Sequence, residues 1–451
     1  MKILHVSLGD PRYRHGGLNQ YCLDLMNAQK KAGHAVSLLF PGGFSIGGKT
    51  SVKSRENGLF FINNPLPVAI TYGIDKPSRY WKKIDGGIYE SFLQAVLPDV
   101  IHIHSIQGIH AEFFEVAKLK SIPMVFTTHD YYPMCCNCTL IDYQKQLCNC
   151  NDSSRCTVCN YQRGLSFKKQ ILLQSQLYQK VKGFSVIRAL KNSKAVTNEE
   201  KTNMQISPEE FEKNKNDFKQ LKSYYQRIFD CFSVIHANSE QAALIYAKFF
   251  PGNNTVILPI TNAKIERQKH RRAASNPINF GYLGGPGAYK GYHVFENALD
   301  ELDNCNHTNW NAWFYGGAFQ QTETADKRRH YCGCFDRSQT KEVWENIDVL
   351  VVPSQWKETF GLVVLEALSK QIPVICSDLV GAKYLLEKAF CSELIFKYDS
   401  VFELAQKMSV LMAVENYQKI QNRIEMMEWK YDMDYHTNQI IRIYKRLLNE
   451  K

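Results

Sequence analysis

Residues 353–367 read PSQWKETFGLVVLEA, and this stretch decides the fold. Pro353 ends a β-branched run that predicts a strand, and Phe360 to Leu368 has the pattern of a helix. A helix that starts near Thr359 would direct its free N–H groups and positive dipole end towards the strand's carboxyl edge. Such an edge binds anions, so the stretch predicts a doubly wound α/β domain with a diphosphate site.

Two carboxylates flank this predicted anion site. Glu358 lies in the loop, and Glu366 follows about two turns into the helix. One could contact a sugar and the other a ribose. Spacing alone favours a simpler interpretation, in which Glu358 belongs to an acidic N-cap region and Glu366 is an ordinary helical glutamate.

The same alternation of strands and helices extends over most of the chain. Buried apolar runs predict strands throughout, at 2–7, 35–40, 99–104, 123–128, 233–237, 255–259, 278–283, 311–316, 349–353 and 373–376. Strands separated by helices form parallel sheets covered on both faces, so we predict two doubly wound domains.

We expect the following domain organisation. An N-terminal domain covers residues 1–262, with a cysteine-rich loop at 131–160 and a basic helical insert at 161–230. In the insert, Ser207 is a predicted N-cap and Pro208 follows in the first turn. The remaining segments are a linker at 263–276, a C-terminal domain at 277–430, and a final helix at 431–451 that packs back on the N-terminal domain.

Composition places the chain among globular proteins. Of 451 residues, 44% are hydrophobic and 22% charged, which excludes a disordered or fibrous protein. The first ten residues lack the apolar core of a secretory signal, and no apolar stretch approaches the ~20 residues that span a bilayer. These features predict a cytoplasmic protein.

The net charge of +11 is local. Residues 161–230 contain 14 basic and seven acidic residues, and the linker supplies the remaining +4. This distribution argues against a nucleic-acid surface spread over the fold. The insert could meet an anionic membrane at its inner face or a lipid-diphosphate acceptor, although a solvated helix face of mixed charge is the commoner outcome.

The cysteines are also concentrated. Seven of 14 lie between Cys135 and Cys159, and Cys156 and Cys159 form a CxxC pair. Cys136 (or Cys135), Cys148, Cys156 and Cys159 could form a tetrahedral structural zinc site. An unmetallated cysteine-rich loop stays open, as do disulfides if the protein is exported.

Four ordered motifs resemble one family. The segment PSxxxETFGLVVLEAL, with Glu358 and Glu366 spaced Glu-x7-Glu, looks like the donor-site signature of the family-4 retaining glycosyltransferases. That family has the GT-B fold, two Rossmann-like domains facing across a cleft. Gly16–Tyr21, Thr127–Asp130 and Gly281–Gly291 are similar to its first loop and helix, its His-Asp strand end and its phosphate loop. Some members carry spaced cysteines after a His-Asp-Tyr segment, which implies a structural metal here.

The resemblance implies roles for the donor-site residues. Glu366 would hold the nucleotide ribose, Glu358 would contact hydroxyls of the donor sugar, and Lys290 would neutralise the diphosphate. Backbone N–H groups of the two glycine-containing loops would help to bind the donor. These groups belong to Gly16, Gly17, Thr359, Phe360, Gly361 and Leu362.

The resemblance also implies an acceptor side. His129 would lie near the sugar, with Asp130 beside it towards the acceptor, although His129 could instead be a hydrogen-bonded strand-end residue. Tyr282 stands where the family usually has arginine, so Lys290 carries more of the phosphate charge.

The implied activity is metal-independent hexosyl transfer with retained anomeric configuration, requiring no cofactor for catalysis. The donor would be a nucleoside diphosphate sugar, and the acceptor a glycan or lipid-linked intermediate of cell-surface polysaccharide synthesis. No Asp-x-Asp motif stands in a convincing strand-end position, which agrees with metal independence.

Two other functions are open to test. A zinc-knuckle nucleic-acid-binding protein would use the cysteines and basic helices, but the cysteine segment lacks an interleaved basic and aromatic recognition stretch. An inactive sugar-nucleotide sensor is the other alternative, and the intact Lys290, Glu358 and Glu366 argue against it. We expect no nucleic-acid partner.

Overall fold

The computed structural model describes residues 1–14, 16–45, 48–56, 58–69, 73–74, 76–149, 152–161, 167–174, 206–268, 273–319, 326–335 and 339–450. The chain forms two compact units. The first contains Met1–Asn238, Ala243–Leu258 and Thr437–Lys451, and the second contains Ser239–Ala242 and Pro259–His436. The first unit is therefore discontinuous in sequence.

The first unit is built on a sheet of eight strands in the described residues, ordered β3-β4-β2-β1-β5-β6-β7-β8. The strands are β1 Lys2–Val6, β2 Ala35–Pro41, β3 Ser51–Glu56, β4 Leu59–Asn63, β5 Val100–Ile103, β6 Met124–Thr127, β7 Val234–Ala237 and β8 Thr255–Ile257. All pairs are parallel except β3 with β4. The register places His5 beside His102 and Thr127 beside His236.

Helices cover this sheet. They are α1 Gly17–Lys31, α2 Gly87–Val96, α3 Ala111–Leu119, α4 Ser153–Asn160, α5 Phe167–Gln174, α6 Pro208–Phe229, α7 Glu240–Phe249 and, after the second unit, α14 Met433–Asn449. Ser207 caps α6 by accepting a hydrogen bond from the Glu210 N–H at 3.2 Å, with Pro208 in the first turn, which confirms the predicted helix start. The buried side of α6 includes Phe218 and Tyr225.

The second unit is a parallel sheet ordered β11-β10-β9-β12-β13-β14 in the described residues. Its strands are β9 Ile278–Leu283, β10 Trp310–Tyr315, β11 Arg329–Gly333, β12 Val349–Val352, β13 Val374–Ser377 and β14 Ile395–Phe396. Its helices are α8 Tyr292–Asn304, α9 Thr340–Glu345, α10 Leu362–Ser369, α11 Tyr384–Lys388, α12 Val401–Leu411 and α13 Val414–Met426. Two parallel-sheet α/β domains confirm the predicted fold class.

The segment predicted as a linker differs from expectation. The chain from Pro259 to His436 belongs to the second unit, and the described part of 263–276 packs there. Arg267 donates to the Ile424 carbonyl at 2.5 Å and lies over the Trp429 ring at 4.8 Å from its centroid. A basic residue therefore caps carbonyls at the end of α13 instead of crossing solvent.

No helix in the described parts of the chain has the length and apolar character needed to cross a membrane.

Candidate functional site

The loop between β12 and α10 forms the centre of the candidate site in the second unit. α10 begins at Leu362, so the predicted start near Thr359 is wrong by about one turn. The cause is Gly361, whose φ of 98° is left-handed and breaks helical geometry just before Leu362. A Cβ there would also lie 2.9 Å from Glu358 Oε2.

The carbonyl groups of this loop are held by neighbouring groups. Ser239 Oγ donates to the Thr359 carbonyl at 2.5 Å, and the Ala382 N–H donates to the Phe360 carbonyl at 2.7 Å. Among the described residues, no acceptor faces the backbone N–H groups of Phe360, Gly361 and Leu362. Three adjacent N–H groups at the start of a helix can therefore bind an anion.

Glu358 is almost fully buried and accepts three hydrogen bonds on one carboxylate oxygen. Lys290 Nζ lies 2.6 Å from Oε1, Ser354 Oγ lies 2.7 Å away, and Trp356 Nε1 lies 3.2 Å away. Burial alone would raise the pKa of Glu358, but the Lys290 charge and these donors outweigh it and lower the pKa below its ordinary value. Glu358 is therefore an ionised carboxylate at neutral pH.

Lys290 reaches Glu358 because two loops touch along their backbones. Gly291 has φ 77°, and a Cβ there would lie 1.7 Å from the Pro353 carbonyl oxygen. The Gln355 N–H also donates to the Tyr289 carbonyl at 2.9 Å. Burial lowers the pKa of Lys290, whereas the Glu358 carboxylate raises it, and the net pKa lies above the ordinary value. The ammonium group is therefore charged.

Glu366 lies on α10, half-buried and in a different environment. Asn262 Nδ2 donates to its Oε1 at 3.0 Å. Burial raises the pKa of Glu366 above its ordinary value, and the Asn262 hydrogen bond opposes part of that shift. The two glutamates of the Glu-x7-Glu pattern thus have opposite pKa shifts, with Glu358 paired to a cation and Glu366 to an amide.

In the first unit, Gly16 and Gly17 stand at the start of α1. Gly16 has φ 135°, and a Cβ on either glycine would meet no atom of the described chain within 4 Å. Sequence reasoning did not single out Arg14 in the same loop. Its Nη1 donates to the Leu8 carbonyl at 2.7 Å, and burial lowers its pKa to about 10. The available signal was an arginine two residues before the glycine pair.

His129 and Asp130 follow β6 in the first unit and are half-buried. His129 Nε2 lies 3.3 Å from His104 Nδ1, and burial lowers the pKa of His129 to about 3. Asp130 Oδ1 accepts from the Tyr132 N–H at 2.9 Å, and burial raises the pKa of Asp130 to about 6. His129 is therefore neutral at pH 7, and Asp130 titrates close to the physiological range.

The structure places Cys135, Cys136 and Cys138 in a turn segment, Cys148 next to a short hairpin, and Cys156 and Cys159 in α4. Ile141 bridges Leu147 in antiparallel pairing, and α4 carries Cys156 and Cys159 on one side. Electrostatic interactions join Cys156 with Cys135, Cys136 and Cys159. Burial raises the pKa of the Cys136 thiol well above its ordinary value and that of Cys159 to about 11.

The cysteine thiols that the structure describes do not converge to metal-ligand distances. Within the described residues, three or more potential ligand atoms lie within 4.8 Å of one another at His5, His102 and His104, and at no cysteine set. Cys148 lies next to the hairpin, where its N–H donates to the Leu140 carbonyl at 2.7 Å. Cys150 lies outside the described residues.

Comparison with known families gives the class of the protein. Residues 277–413 match the model of the group 1 glycosyl transferases, and residues 15–159 match the model of glycosyltransferase family 4. The two matches together cover more than half of the chain, one in each α/β unit. The protein is a glycosyltransferase of the GT-B type. Within that class, it belongs to the glycosyltransferases that combine the family 4 and group 1 domains, as the sequence motifs predicted.

Solved structures agree on the fold. Sucrose-phosphate synthase from Thermosynechococcus elongatus is 15% identical with a TM-score of 0.56, and the match covers 100% of both chains. Anabaena HepE in complex with UDP is 13% identical with a TM-score of 0.55, covering 99% of this chain and 100% of that one. Trehalose-phosphate synthase from Burkholderia xenovorans, in complex with glucose-6-phosphate, is 12% identical with a TM-score of 0.54, covering 98% and 99%. A search of curated proteins found no match.

Proposed function

We propose that this protein transfers a hexose, with retention of configuration, from a nucleoside diphosphate sugar to a glycan or lipid-linked acceptor in cell-surface polysaccharide synthesis. The observation that carries the proposal is the anion site beside Glu358, formed by Lys290 and the N–H groups of Phe360, Gly361 and Leu362. The Anabaena neighbour solved with UDP-glucose binds such a donor on a related fold.

Lys290 suits a diphosphate. An ammonium group has three N–H donors, and Glu358 accepts one of them. The remaining donors, together with the three backbone N–H groups, can bind phosphate oxygens through charge-assisted hydrogen bonds. Glu358 then presents its second oxygen to hydroxyls of the donor sugar, and Glu366 binds the ribose.

The chemistry follows from where charge develops. The bond between the anomeric carbon and the phosphate oxygen breaks, and its electron pair goes to the diphosphate. Preorganised donors stabilise that negative charge without rearranging, and the proposal needs no metal for this step. The acceptor oxygen forms the new bond on the same face of the sugar, and its proton passes to the departing phosphate oxygen.

The first unit would supply the other contacts of the reaction. No atom of the described chain would lie within 4 Å of a Cβ on Gly16 or Gly17, so backbone can approach a phosphate there. His129 would lie by the donor sugar, and Asp130, with its raised pKa, would lie on the acceptor side.

The test is thermal unfolding of the purified protein with UDP-, GDP- and ADP-linked sugars. We expect one nucleotide series to raise Tm, because a ligand that binds the folded state stabilises it by mass action. Glu366→Ala should abolish the shift, whereas Glu415→Ala, an exposed position, should keep it. Protection by duplex DNA without protection by any nucleotide would favour the nucleic-acid-binding alternative.

Transfer itself needs a second measurement. Product formation from the protective donor, with the anomeric configuration determined by NMR, tests retention. Donor protection with no transfer to any glycan or lipid-linked acceptor would favour the inactive sensor.

We also propose that Cys136, Cys148, Cys156 and Cys159 hold a structural zinc ion. The interaction of Cys136 and Cys159 with Cys156 supports this, and zinc binding would have to deprotonate thiols whose pKa burial raises. The sulfur atoms would have to move towards a common point. One zinc per chain in anaerobically purified protein, lost in Cys156→Ser but kept in Cys305→Ser, is the expected result. A ratio near zero in the unmodified protein would contradict it.

Contact with an anionic membrane through the basic insert remains a proposal. In the described helix α6 there are five basic and four acidic residues, so most of the excess charge lies in parts of 161–230 outside the described residues. Co-sedimentation with vesicles containing anionic lipid, compared with neutral vesicles, tests this contact.

A further inference from the structure

A continuous hydrogen-bond network of histidines runs through the sheet of the first unit. It contains His5 on β1, His102 on β5, His236 on β7, and His104 and His129 just beyond the ends of β5 and β6. Thr127, Gln29 and Tyr444 connect these rings. The parallel register explains the first link, because it places Thr127 beside His236.

The proton positions follow from one end of the network. His236 Nε2 lies 2.7 Å from the Leu258 carbonyl oxygen, which can only accept, so Nε2 carries the proton. The neutral ring then accepts at Nδ1, and the Thr127 hydroxyl at 2.9 Å donates to it. Since Thr127 has given its proton, its oxygen accepts from His102 Nε2 at 2.6 Å.

The donor and acceptor roles at Tyr444 and Gln29 follow in the same way. His102 Nδ1 is now an acceptor, and the Tyr444 hydroxyl at 2.5 Å donates to it. The Tyr444 oxygen must then accept, which it does from Gln29 Nε2 at 3.2 Å. This fixes the orientation of the Gln29 amide and turns its oxygen towards His5.

The last links reach the candidate site. Gln29 Oε1 accepts from His5 Nε2 at 2.7 Å, so His5 Nδ1 is an acceptor and His104 Nε2, at 2.9 Å, donates. His104 Nδ1 consequently accepts from His129 Nε2 at 3.3 Å. His236, His102, His5 and His104 thus each have one donor and one acceptor role in this network, and His129 donates through Nε2.

The argument requires neutral rings, and burial supplies that condition. His5, His102 and His236 are fully buried and His104 is 1% exposed. Burial lowers the pKa of His5 and of His236 to about 4, and that of His104 well below its ordinary value. A doubly protonated ring would lose its acceptor nitrogen and face a neighbouring donor.

A metal site is the competing interpretation of His5, His102 and His104. Both nitrogens of each ring already take part in the hydrogen bonds of the network. The His102 and His104 rings are stacked, with centroids 4.4 Å apart and planes at 19°. Stacked rings direct their nitrogens along similar directions, so a proton-ordered network fits these contacts better than a shared ion.

We propose that this network holds His129 as the Nε2–H tautomer, so that its Nδ1 acts as a hydrogen-bond acceptor, and that His104 and Tyr444 are positioning residues for it. Because this rests on the proposed role of His129 at the donor sugar, His129 would accept a hydrogen bond from a sugar hydroxyl and would not donate one.

The tautomers can be measured without substrate. Long-range 1H–15N correlation spectra of protein labelled with 15N-histidine distinguish a protonated from an unprotonated ring nitrogen, with assignments from single histidine variants. At pH 7.5 we expect the Nε2–H pattern at all five rings. An Nδ1–H tautomer or an imidazolium at His129 in the unmodified protein would overturn the inference.

Tyr444→Phe tests the direction of the network. It keeps the ring but removes the donor to His102, so the Gln29 amide can reverse and His5, His104 and His129 should each show both tautomers. Tyr435→Phe, on the same helix, should leave the spectra unchanged. Unchanged tautomers in Tyr444→Phe would contradict the proposed ordering.

Activity provides the second readout. If half of the molecules hold the wrong tautomer, kcat should fall about twofold in Tyr444→Phe with KM unchanged, since kcat scales with the competent fraction. His104→Leu should lower kcat roughly tenfold, about the size of one hydrogen bond, and His104→Gln, whose amide both donates and accepts, should restore most of it. Equal losses in His104→Leu and His104→Gln would indicate a purely structural role.

The two hypotheses fail separately. The expected tautomers in a protein with no transferase activity would support the network and overturn the proposed function. Transferase activity with mixed tautomers at His129 would support the function and overturn the network.

Discussion

The Glu358–Lys290 pair of the second unit is buried in charged form, whereas the histidine network of the first unit is buried in neutral form. Glu358 keeps its carboxylate ionised beside Lys290, 2.6 Å away. The hydrogen bonds described for the five histidines of the network join them to one another and to Thr127, Gln29, Tyr444 and the Leu258 carbonyl, which are all uncharged. A buried carboxylate with a cation stays charged, and buried imidazoles without an anion lose their protons.

This difference has a functional meaning. A charged pair can exchange partners with a charged ligand, so the Lys290 site suits a diphosphate. A neutral network instead orders donors and acceptors, so it suits the orientation of a polar group such as a sugar hydroxyl. Under the proposed function, the two units would contribute different kinds of recognition.

The largest expected effect comes from separating the two loops of the charged site. Gly291→Ala would place a Cβ 1.7 Å from the Pro353 carbonyl oxygen at a residue with φ 77°. We expect a loss of about 4 kcal/mol in the free energy of unfolding, measured by urea denaturation. Gly333→Ala is the matched control, because φ is 71° but the nearest atom lies 4.0 Å away, and it should cost about 1 kcal/mol. Equal losses would show that strain alone, and not the loop contact, matters.

The second-largest expected effect is a loss of stability of the first unit in acid. The folded-state pKa of His5 and of His236 is lowered to about 4, so their stabilising contribution is complete above the unfolded pKa of 6.5 and is lost as pH falls towards 4. Between pH 7.5 and 5.5, protonation of these two residues should lower the free energy of unfolding by about 3 kcal/mol. Hydrogen exchange at both pH values should show the loss in the peptides of 1–238.

A non-titrating replacement checks the assignment of that loss. His5→Gln offers one donor and one acceptor but no titration, so it should remove about half of the pH effect. His307→Gln, at an exposed position, should leave the pH profile unchanged. If His5→Gln also leaves it unchanged, the network does not determine the acid sensitivity.

The Glu358–Lys290 pair should lose its contribution to stability at a lower pH than the histidines, and the loss should be smaller. The folded-state pKa of Glu358 is lowered, so its contribution is present above the ordinary pKa of 4.5 and disappears as pH falls below it. Glu358→Gln should cost about 1 kcal/mol at pH 7, since the Lys290 side chain is 32% exposed and solvent screens its charge. Denaturation across pH 3–7 should show that this variant loses less stability on acidification. A steeper loss would contradict the ionised state.

The smallest effect concerns Glu366. Asn262→Ala removes the amide hydrogen bond that opposes the effect of burial, so the pKa of Glu366 should rise further. We expect the free energy of unfolding to fall by about 0.5 kcal/mol, and a 13C carboxyl titration should report the higher pKa. Asn304→Ala, exposed at the end of α8, should change neither quantity.

Much of the fold was predictable because the central strands are short, apolar and bounded by turns. The alternation around Val349–Val352 identified the second sheet, and Ser207 identified the start of α6. The edge elements were missed. β3 reads SVKSRE and is half-exposed, so its composition gives no strand signal, and its antiparallel pairing with β4 depends on tertiary contact.

The sequence offered candidate residues for the site but not their pairings. The motif identified Glu358, yet the ion pair with Lys290 joins residues 68 apart and depends on two loops meeting. The exact start of α10 depends on the φ of Gly361, which a helical pattern does not reveal. The histidines in the apolar runs of β1 and β5 were a signal, because a buried strand seldom carries an unpaired imidazole.

The position of Tyr444 has a consequence for biosynthesis. The residue belongs to the first unit, but the ribosome adds it only after residues 259–436. During translation the first unit therefore lacks, until late, the Tyr444 hydroxyl that hydrogen-bonds to Gln29 and His102. The nascent sheet should become resistant to protease only late in synthesis, so the first unit, whose chain is begun first, is completed last.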